Sequence, residues 1–165
     1  MEFTSGSIEE TLALGERIGG VLQPGDVLAL HGELGSGKTT LIQGMARGLG
    51  VTSGLVKSPT FVLMREYPGK IPLIHIDGYR LEGSTTASWL DVELLFSPQK
   101  ITVIEWAERL GDAIPECALD VQLRHVSANR RRIRATAVSP RGRTMLEALR
   151  VQVAGLAQEA VGDAP

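Results

Sequence analysis

The fold of this chain is decided by the stretch Gly32-Glu33-Leu34-Gly35-Ser36-Gly37-Lys38-Thr39. It matches the pattern G-x-x-x-x-G-K-S/T of a phosphate-binding loop, or P-loop. The apolar run Val27 to Leu30 before it predicts a buried strand, and apolar residues at helical spacing from Leu41 to Leu49 after it predict a helix. We therefore expect an α/β protein of the P-loop NTPase class, with a mixed, mostly parallel central sheet flanked by helices.

Each residue type in the loop has a chemical task. Glycines let the backbone curl so that successive N–H groups point inward, and the following helix adds its positive N-terminal end. Lys38 can bridge the β- and γ-phosphate oxygens, and the Thr39 hydroxyl is a hard oxygen ligand suited to Mg²⁺. The loop residues expected to contact the nucleotide are Leu34, Gly35, Ser36, Gly37, Lys38, Thr39 and Thr40.

Two further apolar runs each end on a carboxylate. Leu73 to Ile76 leads into Asp77, and Ile101 to Ile104 leads into Glu105. If both strands run parallel to the P-loop strand, both carboxylates reach the crevice where ligands bind in such sheets. We expect Asp77 and Glu105 to act with Thr39 at the metal and with Lys38 in catalysis. One acid would orient the waters of the metal and the other would position or deprotonate the attacking water; which does which is open.

A turn-forming stretch, Val56 to Phe61, lies between the P-loop helix and the Asp77 strand. Its hydroxyls, Ser58 and Thr60, stand where other P-loop proteins place the first switch, so Thr60 could sense the γ-phosphate through Mg²⁺. The alternative is an ordinary Ser-Pro turn that enters a strand predicted over Phe61 to Met64.

The rest of the chain predicts flanking elements. Ser7 and Glu10 have the spacing of a capping box, which predicts a first helix that stops at Pro24-Gly25. Looser alternation over residues 119–125 and 132–138 predicts a C-terminal antiparallel hairpin at the sheet edge. We divide the chain into a P-loop domain, residues 1–140, and a helical extension with a frayed tail, residues 141–165.

Composition excludes several classes of protein. Hydrophobic residues make up 43% of the chain, the net charge is −2, and no run approaches the length needed to cross a bilayer, so we expect a cytoplasmic protein without membrane contact. Residues 121–150 carry eight arginines against Glu147 alone, which suits phosphates, RNA or an acidic partner but also a solvated hairpin face. The lone Cys117 is expected to be a packing residue.

The base is expected to be adenine. Guanine recognition usually needs an Asn-Lys-x-Asp run, and the only asparagine is Asn129, which Arg130 follows. ATP with Mg²⁺ is therefore the expected ligand pair.

Together these motifs resemble the TsaE (YjeE) family, the ATPase component of bacterial threonylcarbamoyl-adenosine synthesis on tRNA. The resemblance covers roughly residues 7–138. It is carried, in order, by Thr11-Leu12 and Leu14-Gly15, the P-loop, Val56 to Phe61, His75-Ile76-Asp77-Gly78-Tyr79-Arg80-Leu81 and Ile104-Glu105-Trp106-Ala107. Gly78 departs from the leucine that is usual in the family, and the tail from Pro140 lies largely outside the shared pattern.

The resemblance implies that Thr39 and Glu105 lie at Mg²⁺, that Asp77 fills the second acidic role, and that Ser58 to Phe61 is a nucleotide-responsive switch. It also implies that the segment from Ile8 to Thr11 approaches the adenine. As partner it implies a TsaB–TsaD heterodimer, in which TsaD transfers the threonylcarbamoyl group to adenosine 37 of tRNA and ATP hydrolysis by the TsaE protein resets the complex. Contact with tRNA would be indirect or through the basic hairpin.

The expected function is an ATPase that is slow alone and faster with its partners. Two alternatives stay open. One is a small-molecule kinase in which an arginine-rich lid, Arg130 to Arg134, covers the phosphates. The other is a nucleotide-gated docking module whose hydrolysis is not essential.

Overall fold

The computed structural model describes residues 1–51, 56–60, 62–81 and 92–162 of the chain. The strands in this part of the chain are β1 (Glu2–Ser5), β2 (Val27–His31), β3 (Met64–Tyr67), β4 (Leu73–Asp77), β5 (Ile101–Glu105), β6 (Leu119–His125) and β7 (Arg131–Ala137). The helices are α1 (Ile8–Val21), α2 (Lys38–Gly48), α3 (Val92–Leu95) and α4 (Pro140–Gly162).

The strands form one mixed sheet in the order β1-β7-β6-β2-β5-β4-β3. Strands β6, β2, β5 and β4 run parallel at its centre, whereas β7, β1 and β3 each pair antiparallel with their neighbours. The P-loop strand β2 therefore lies between β6 and β5, inside the parallel part. The mixed, mostly parallel α/β sheet expected from the sequence is confirmed.

The C-terminal hairpin is present, but it does not form the edge of the sheet. Strands β6 and β7 pair antiparallel, and β1 then pairs with β7 from Glu2 opposite Arg134 to Ser5 opposite Arg131. The predicted position of the hairpin at the sheet edge is therefore wrong, because β1, for which no strand was predicted from the sequence, forms that edge. A four-residue strand with one strongly apolar side chain, Phe3, gives little periodic signal, so only its pairing with β7 defines it.

The strand predicted over Phe61 to Met64 was wrong in its position. Phe61 lies outside the described residues, and the strand begins only at Met64. The amides of Val62 and Leu63 both donate to the carbonyl oxygen of Pro59, at 2.8 and 2.7 Å, and Leu63 has a φ of 65°. These amides close a turn after Pro59 and cannot join a strand ladder, which is why Val62 and Leu63 do not belong to the strand.

The central strand β2 is buried on both faces. Leu28 and Leu30 pack in a large cluster with residues of α1, α2 and α4, whereas Val27 and Ala29 pack in a smaller cluster with Leu95 and Leu110. A continuous apolar run is typical of a parallel strand that is covered on both sides. The two layers hold β2 rigidly, and the P-loop begins at its end.

Helix α1 begins at a side-chain cap and packs closely on α2. The Ser7 hydroxyl accepts a hydrogen bond from the Glu10 amide at 3.1 Å, and the Glu10 carboxylate accepts one from the Gly6 amide at 2.7 Å. A Cβ atom on Gly44 would lie 2.2 Å from the Leu12 carbonyl oxygen, and one on Gly15 would lie 2.2 Å from the Leu41 carbonyl oxygen. The two helix backbones therefore touch without intervening side chains.

Helix α4, residues Pro140–Gly162, follows the hairpin, and its first half belongs to the core. Met145 and Leu149 are fully buried in the large cluster, and Arg141 binds the Asp26 carboxylate at 2.8 Å. These contacts join α4 to the rest of the chain. The division of the chain into a P-loop domain and a helical extension at residue 140 stays a prediction. No helix in the described ranges is long and apolar enough to cross a lipid bilayer.

Candidate nucleotide site

The phosphate loop has the curled backbone that its sequence predicts. Gly35 and Gly37 have φ angles of 76° and 104°, which side-chain-bearing residues rarely adopt. A Cβ atom on Gly32 would lie 2.4 Å from the carbonyl oxygen of Leu123, so the loop also needs glycine for its close approach to β6. Because α2 begins at Lys38, the free amides of its first turn and its positive end face the loop.

One buried polar atom of the loop has no partner. Among the described residues, the Ser36 hydroxyl is buried without a hydrogen bond. Such a group costs free energy unless a ligand satisfies it. Together with the amides at the start of α2, it fits the loop to hold an anion such as a phosphate group.

Lys38 is buried, and its ammonium group is held against the loop. It donates to the carbonyl oxygens of Gly32 at 2.6 Å and Glu33 at 3.0 Å, and lies 4.0 Å from the centre of the Trp106 ring. Burial lowers the pKa of Lys38 below its ordinary 10.5, and the charge of Glu105 acts in the opposite direction. The ammonium group of Lys38 thus lies inside the loop. There it can replace its hydrogen bonds to the two carbonyl oxygens by hydrogen bonds to phosphate oxygens.

Thr39 and Glu105, the two residues that are expected to bind one metal ion, lie in direct contact. The Thr39 hydroxyl donates to Glu105 Oε1 at 2.8 Å, although the two residues lie 66 positions apart in the chain. His75 Nε2 lies 2.9 Å from the same oxygen. His75 is fully buried, so Glu105 is held from the sheet as well as from α2.

Asp77 lies beside Glu105 and is connected to the switch segment. The two carboxylates are register partners at the ends of β4 and β5. Asp77 Oδ2 accepts hydrogen bonds from the hydroxyls of Ser58 and Thr60, each at 2.5 Å, and Oδ1 accepts one from the Tyr79 amide at 2.9 Å. The hydroxyls of Ser58 and Thr60 are therefore connected to Asp77, and the sensing of the γ-phosphate by Thr60 stays a prediction.

These groups surround one cavity of about 420 Å³. Its lining residues are Leu34, Gly35, Gly37, Lys38, Thr39, Thr40, Ser58, Thr60, Asp77, Tyr79, Glu105 and Trp106. Thr39, Asp77 and Glu105 offer only oxygen atoms, which Mg²⁺ prefers, and Mg²⁺ usually takes one or two carboxylates plus substrate phosphates. The donor set therefore fits the expected metal.

Ile8 and Thr11 lie apart from this cavity. Ile8 is 55% exposed and lines a second cavity of about 230 Å³ with Gly6, Ser7, Glu9, Asn129 and Arg131. Thr11 is fully buried, and its hydroxyl donates to the Ser7 carbonyl oxygen at 3.0 Å and lies 2.7 Å from the Ser5 hydroxyl. Ile8 is thus accessible to a ligand, whereas the Thr11 hydroxyl is occupied within the protein.

The arginines considered as a kinase lid belong to the sheet. Arg131, Arg132 and Arg134 lie in β7, which pairs with β6 on one side and β1 on the other. Arg132 and Arg134 also lie 3.3 and 3.2 Å from the Glu2 carboxylate. A strand paired on both sides cannot swing over the phosphates, so the structure gives the kinase alternative no lid in this segment.

Two residues of the site have contacts that the sequence motifs do not predict. His75 holds Glu105, and its signal is a polar residue in an otherwise apolar buried strand, two positions before Asp77. Trp106 covers Lys38, and its left-handed backbone, with φ of 56°, has no sequence signal. Both lie next to residues that the motifs single out.

The chain is similar in sequence to known proteins over most of its length. A family model described as "Threonylcarbamoyl adenosine biosynthesis protein TsaE" matches residues 5–133. The tRNA threonylcarbamoyladenosine biosynthesis protein TsaE of Bacillus subtilis is 39% identical over 142 residues, which cover 86% of this chain and 88% of the relative. The protein of the same name from a Nostoc species is 46% identical over 109 residues, 62% of this chain and 65% of the relative.

A solved structure has the same fold. The crystal structure of Bacillus subtilis YdiB superposes with a TM-score of 0.80 at 33% sequence identity. The match covers 92% of this chain and 95% of that chain. The similarity therefore extends over most of both chains.

Proposed function

The chain belongs to the TsaE family of threonylcarbamoyl adenosine biosynthesis proteins, and on that basis we propose that it hydrolyses ATP in support of tRNA threonylcarbamoyladenosine formation. The observation that carries the proposal is the 2.8 Å contact between Thr39 and Glu105, with Asp77 in register beside Glu105. It places a loop hydroxyl and two carboxylates together at the mouth of a phosphate loop. This is the arrangement that Mg²⁺-dependent phosphoryl transfer requires.

In the proposed reaction, the oxygen of a water molecule forms a bond to the γ-phosphorus of ATP. The bond from this phosphorus to the bridging oxygen breaks, and ADP and phosphate leave. Lys38 gives up its contacts with the Gly32 and Glu33 carbonyls and neutralises charge on the β- and γ-phosphates. When bound, Mg²⁺ would neutralise further charge at the same oxygens, held by Thr39 and the two carboxylates.

The proton of the attacking water goes to one of the two carboxylates or to the phosphate. Asp77 uses both oxygens to hold Ser58, Thr60 and the Tyr79 amide, whereas Glu105 holds Thr39 and His75 through a single oxygen. Comparison of Glu105→Gln with Asp77→Asn separates the roles. The variant that keeps its affinity for Mg²⁺-ATP but loses turnover identifies the acid that positions or deprotonates the attacking water.

We propose that the partner is a TsaB–TsaD heterodimer and that it docks near the mouth of the cavity. Leu34 at the tip of the loop is 75% exposed, Val62 is 56% exposed and Tyr79 is 38% exposed. Leu34 and Tyr79 line the cavity itself, so a partner that covers them also encloses the nucleotide. Exclusion of water in this way strengthens the electrostatic interactions inside the site.

The test is an ATPase assay of the purified protein with and without this heterodimer. We expect slow release of phosphate by the protein alone and faster release in the complex, with Lys38→Ala inactive in both. If Glu105→Ala abolishes hydrolysis but leaves tRNA modification intact, the protein acts as a nucleotide-gated docking module whose hydrolysis is not essential. Transfer of the γ-phosphate to a metabolite instead of water would favour a kinase.

Direct contact with tRNA through the hairpin is a separate proposal. Arg130 and Arg132 are exposed, and Glu2 neutralises part of the charge on this face. We expect the double replacement Arg130→Ala with Arg132→Ala to weaken binding of tRNA or of the complex at low salt, because fewer counterions are then released. Lys100→Ala, on the opposite half of the sheet, is the control. An unchanged binding curve would identify the arginines as a solvated face.

A further inference from the structure

A buried histidine connects the interior of the sheet to Glu105. Side chains alternate along β4, so His75 and Asp77 lie on the same face as Leu73, which packs in the large cluster with residues of α2. His75 is fully buried, and its Nε2 lies 2.9 Å from Glu105 Oε1. Burial of a polar ring costs free energy unless a hydrogen bond compensates it, and Glu105 supplies that bond.

Glu105 is the single hydrogen-bond partner of this ring in the described part of the chain. The other ring nitrogen, Nδ1, is buried there without a partner. An ionised carboxylate can only accept, so the hydrogen of the contact lies on Nε2 of His75. The buried Tyr67 ring of β3 lies 6.3 Å from the imidazole between centroids. The imidazole is therefore held by packing around it and by Glu105 at one end.

Two donors meet on one oxygen of Glu105. The Thr39 hydroxyl donates to Oε1 at 2.8 Å from the start of α2, and His75 donates to the same atom from the sheet. Oε2 receives no hydrogen bond from the described residues, so it is the oxygen left for a metal ion or a water molecule in the cavity that Glu105 lines. Because both oxygens belong to one planar group, fixing Oε1 from two directions also orients Oε2.

The two donors differ in their exposure to a ligand. Thr39 lines the nucleotide cavity and is itself expected to bind the metal, so a ligand acts on it directly. His75 is fully buried and is not among the residues that line this cavity. A side chain that is locked by packing behind an expected metal ligand can orient that ligand without contact with the substrate.

We propose that His75 is a positioning residue that directs the free oxygen of Glu105 toward the metal ion and the attacking water, without contact with the nucleotide. The proposal rests on the proposed function, because it requires Mg²⁺-ATP in the phosphate loop. It gives the polar residue of β4 a role in metal binding and turnover, in addition to its place in the core.

The first test is calorimetry of ADP with increasing Mg²⁺ on His75→Leu, which fills the site without a donor. We expect ADP affinity in the absence of Mg²⁺ to change less than about twofold, because the phosphate loop is unaltered. The gain in affinity from Mg²⁺ should fall about tenfold, in the range of one hydrogen bond to a charged group. His75→Gln, whose amide N–H can replace the Nε2 donor, should recover most of that gain.

Thr102→Val is the matched control. The Thr102 hydroxyl is buried and donates to the Leu95 carbonyl oxygen at 2.5 Å, so this variant also loses a buried hydrogen bond. Leu95 packs in the small cluster, on the face of the sheet opposite to His75. We expect Thr102→Val to keep the Mg²⁺ dependence of the unaltered protein.

Two further measurements ask whether His75 acts through Glu105. In the Glu105→Ala background the oxygen that His75 holds is absent, so adding His75→Leu should change the Mg²⁺ dependence less than about twofold. In ATP hydrolysis, His75→Leu should lower kcat about tenfold and leave KM within about twofold, because the loop still binds the phosphates.

The contact itself is observed without nucleotide by heteronuclear NMR of the imidazole rings. The chain has three histidines, and His75→Gln assigns the resonances of His75. We expect an N–H signal at Nε2 of His75 that shifts in Glu105→Ala. If His75→Leu fails to fold, His75→Phe, which keeps a ring without a donor, takes its place in each measurement.

Three results would overturn the proposal. In the first, the His75 resonances are the same with and without the Glu105 carboxylate. In the second, His75→Leu keeps the Mg²⁺ dependence and the kcat of the unaltered protein. In the third, Thr102→Val loses both to the same extent, which indicates a general loss of stability. Failure of the unaltered protein to bind Mg²⁺-ADP would reject the proposed function, even where the imidazole signal shows the contact with Glu105.

Discussion

The ammonium nitrogen of Lys38 lies 4.0 Å from the centre of the Trp106 ring, so an aromatic side chain covers the cation of the phosphate loop. Trp106 is packed in turn against the Tyr79 ring, at 5.2 Å between centroids, and against the Arg109 guanidinium, at 5.0 Å. A cation over an aromatic face is stabilised by the ring quadrupole, more so when both are desolvated. Binding of phosphates must compete with this contact.

Nucleotide binding should therefore change the fluorescence of Trp106. In a Trp89→Phe variant, which leaves Trp106 as the only tryptophan, we expect saturating Mg²⁺-ADP to alter the intensity and position of the emission, because the ring loses its contact with Lys38. The Trp106→Phe variant, which retains Trp89, should respond much less. An unaltered spectrum at a concentration where calorimetry shows full binding would mean that Lys38 binds phosphate without leaving the ring.

Replacement of Thr39 should affect the metal more than the fold. Thr39→Ala removes the hydroxyl that contacts Glu105, and we expect the Mg²⁺-dependent part of ADP affinity to fall roughly tenfold, in the range of one hydrogen bond to a charged group. Thr39→Ser retains the hydroxyl and is the matched control. The measurement is ADP affinity as a function of Mg²⁺ concentration. If both Thr39→Ala and Asp77→Ala keep the Mg²⁺ dependence of the unaltered protein, neither residue belongs to the metal site.

Two glycine replacements should have opposite effects on stability. Gly44→Ala places a Cβ atom 2.2 Å from the Leu12 carbonyl oxygen, and because both partners are backbone the helices must separate. We expect a loss of about 2 kcal/mol or more in the free energy of unfolding. Gly20→Ala, on the open side of α1, meets only the Gln152 side chain at 4.0 Å and should add up to about 1 kcal/mol. Urea denaturation measures both, and equal effects would contradict the close helix contact.

Cys117 should be unreactive in the folded protein. Burial raises the pKa of its thiol to about 11, so the nucleophilic thiolate is scarce at neutral pH. We expect slow alkylation by iodoacetamide at neutral pH, and fast alkylation once the protein is unfolded in urea. Rapid reaction of the native protein would show that the thiol is accessible.

The same thiol links stability to alkaline pH. Its pKa is raised above the ordinary value of 9.0, so the stabilisation from the protonated form is fully present below pH 9.0 and is lost as the pH rises toward 11. The Cys117→Ala variant should lose this part of the pH dependence, whatever its own stability at neutral pH. Urea denaturation of both proteins across this interval measures the effect.

The phosphate loop and both acids could be predicted from the sequence because each depends on local pattern. Val27 to Leu30 is apolar at every position, and Asp77 and Glu105 directly follow runs that are apolar except for His75 and Thr102. Parallel strands bring such residues to one edge, so the register of Asp77 opposite Glu105 follows once the strands are recognised.

The remaining features depend on particular contacts and not on a sequence pattern. Strand β1 has no periodicity of its own, and only its pairing with β7, far along the chain, defines it. The turn at Val62 and Leu63 exists because both amides bind the nearby Pro59 carbonyl. The position of Arg131 over Gly37 brings together two segments that are distant in the sequence. None of these contacts follows from composition or spacing.

The touching backbones of α1 and α2 limit which parts of the pocket can move. Helix α1 begins beside the small cavity near Ile8, and α2 begins at the phosphate loop. The backbone contact at Gly15 and Gly44 therefore fixes the starts of the two helices relative to each other. Any opening and closing around a ligand must then come from the segment of Ser58 and Thr60, which hydroxyl contacts and not packed backbone hold to Asp77.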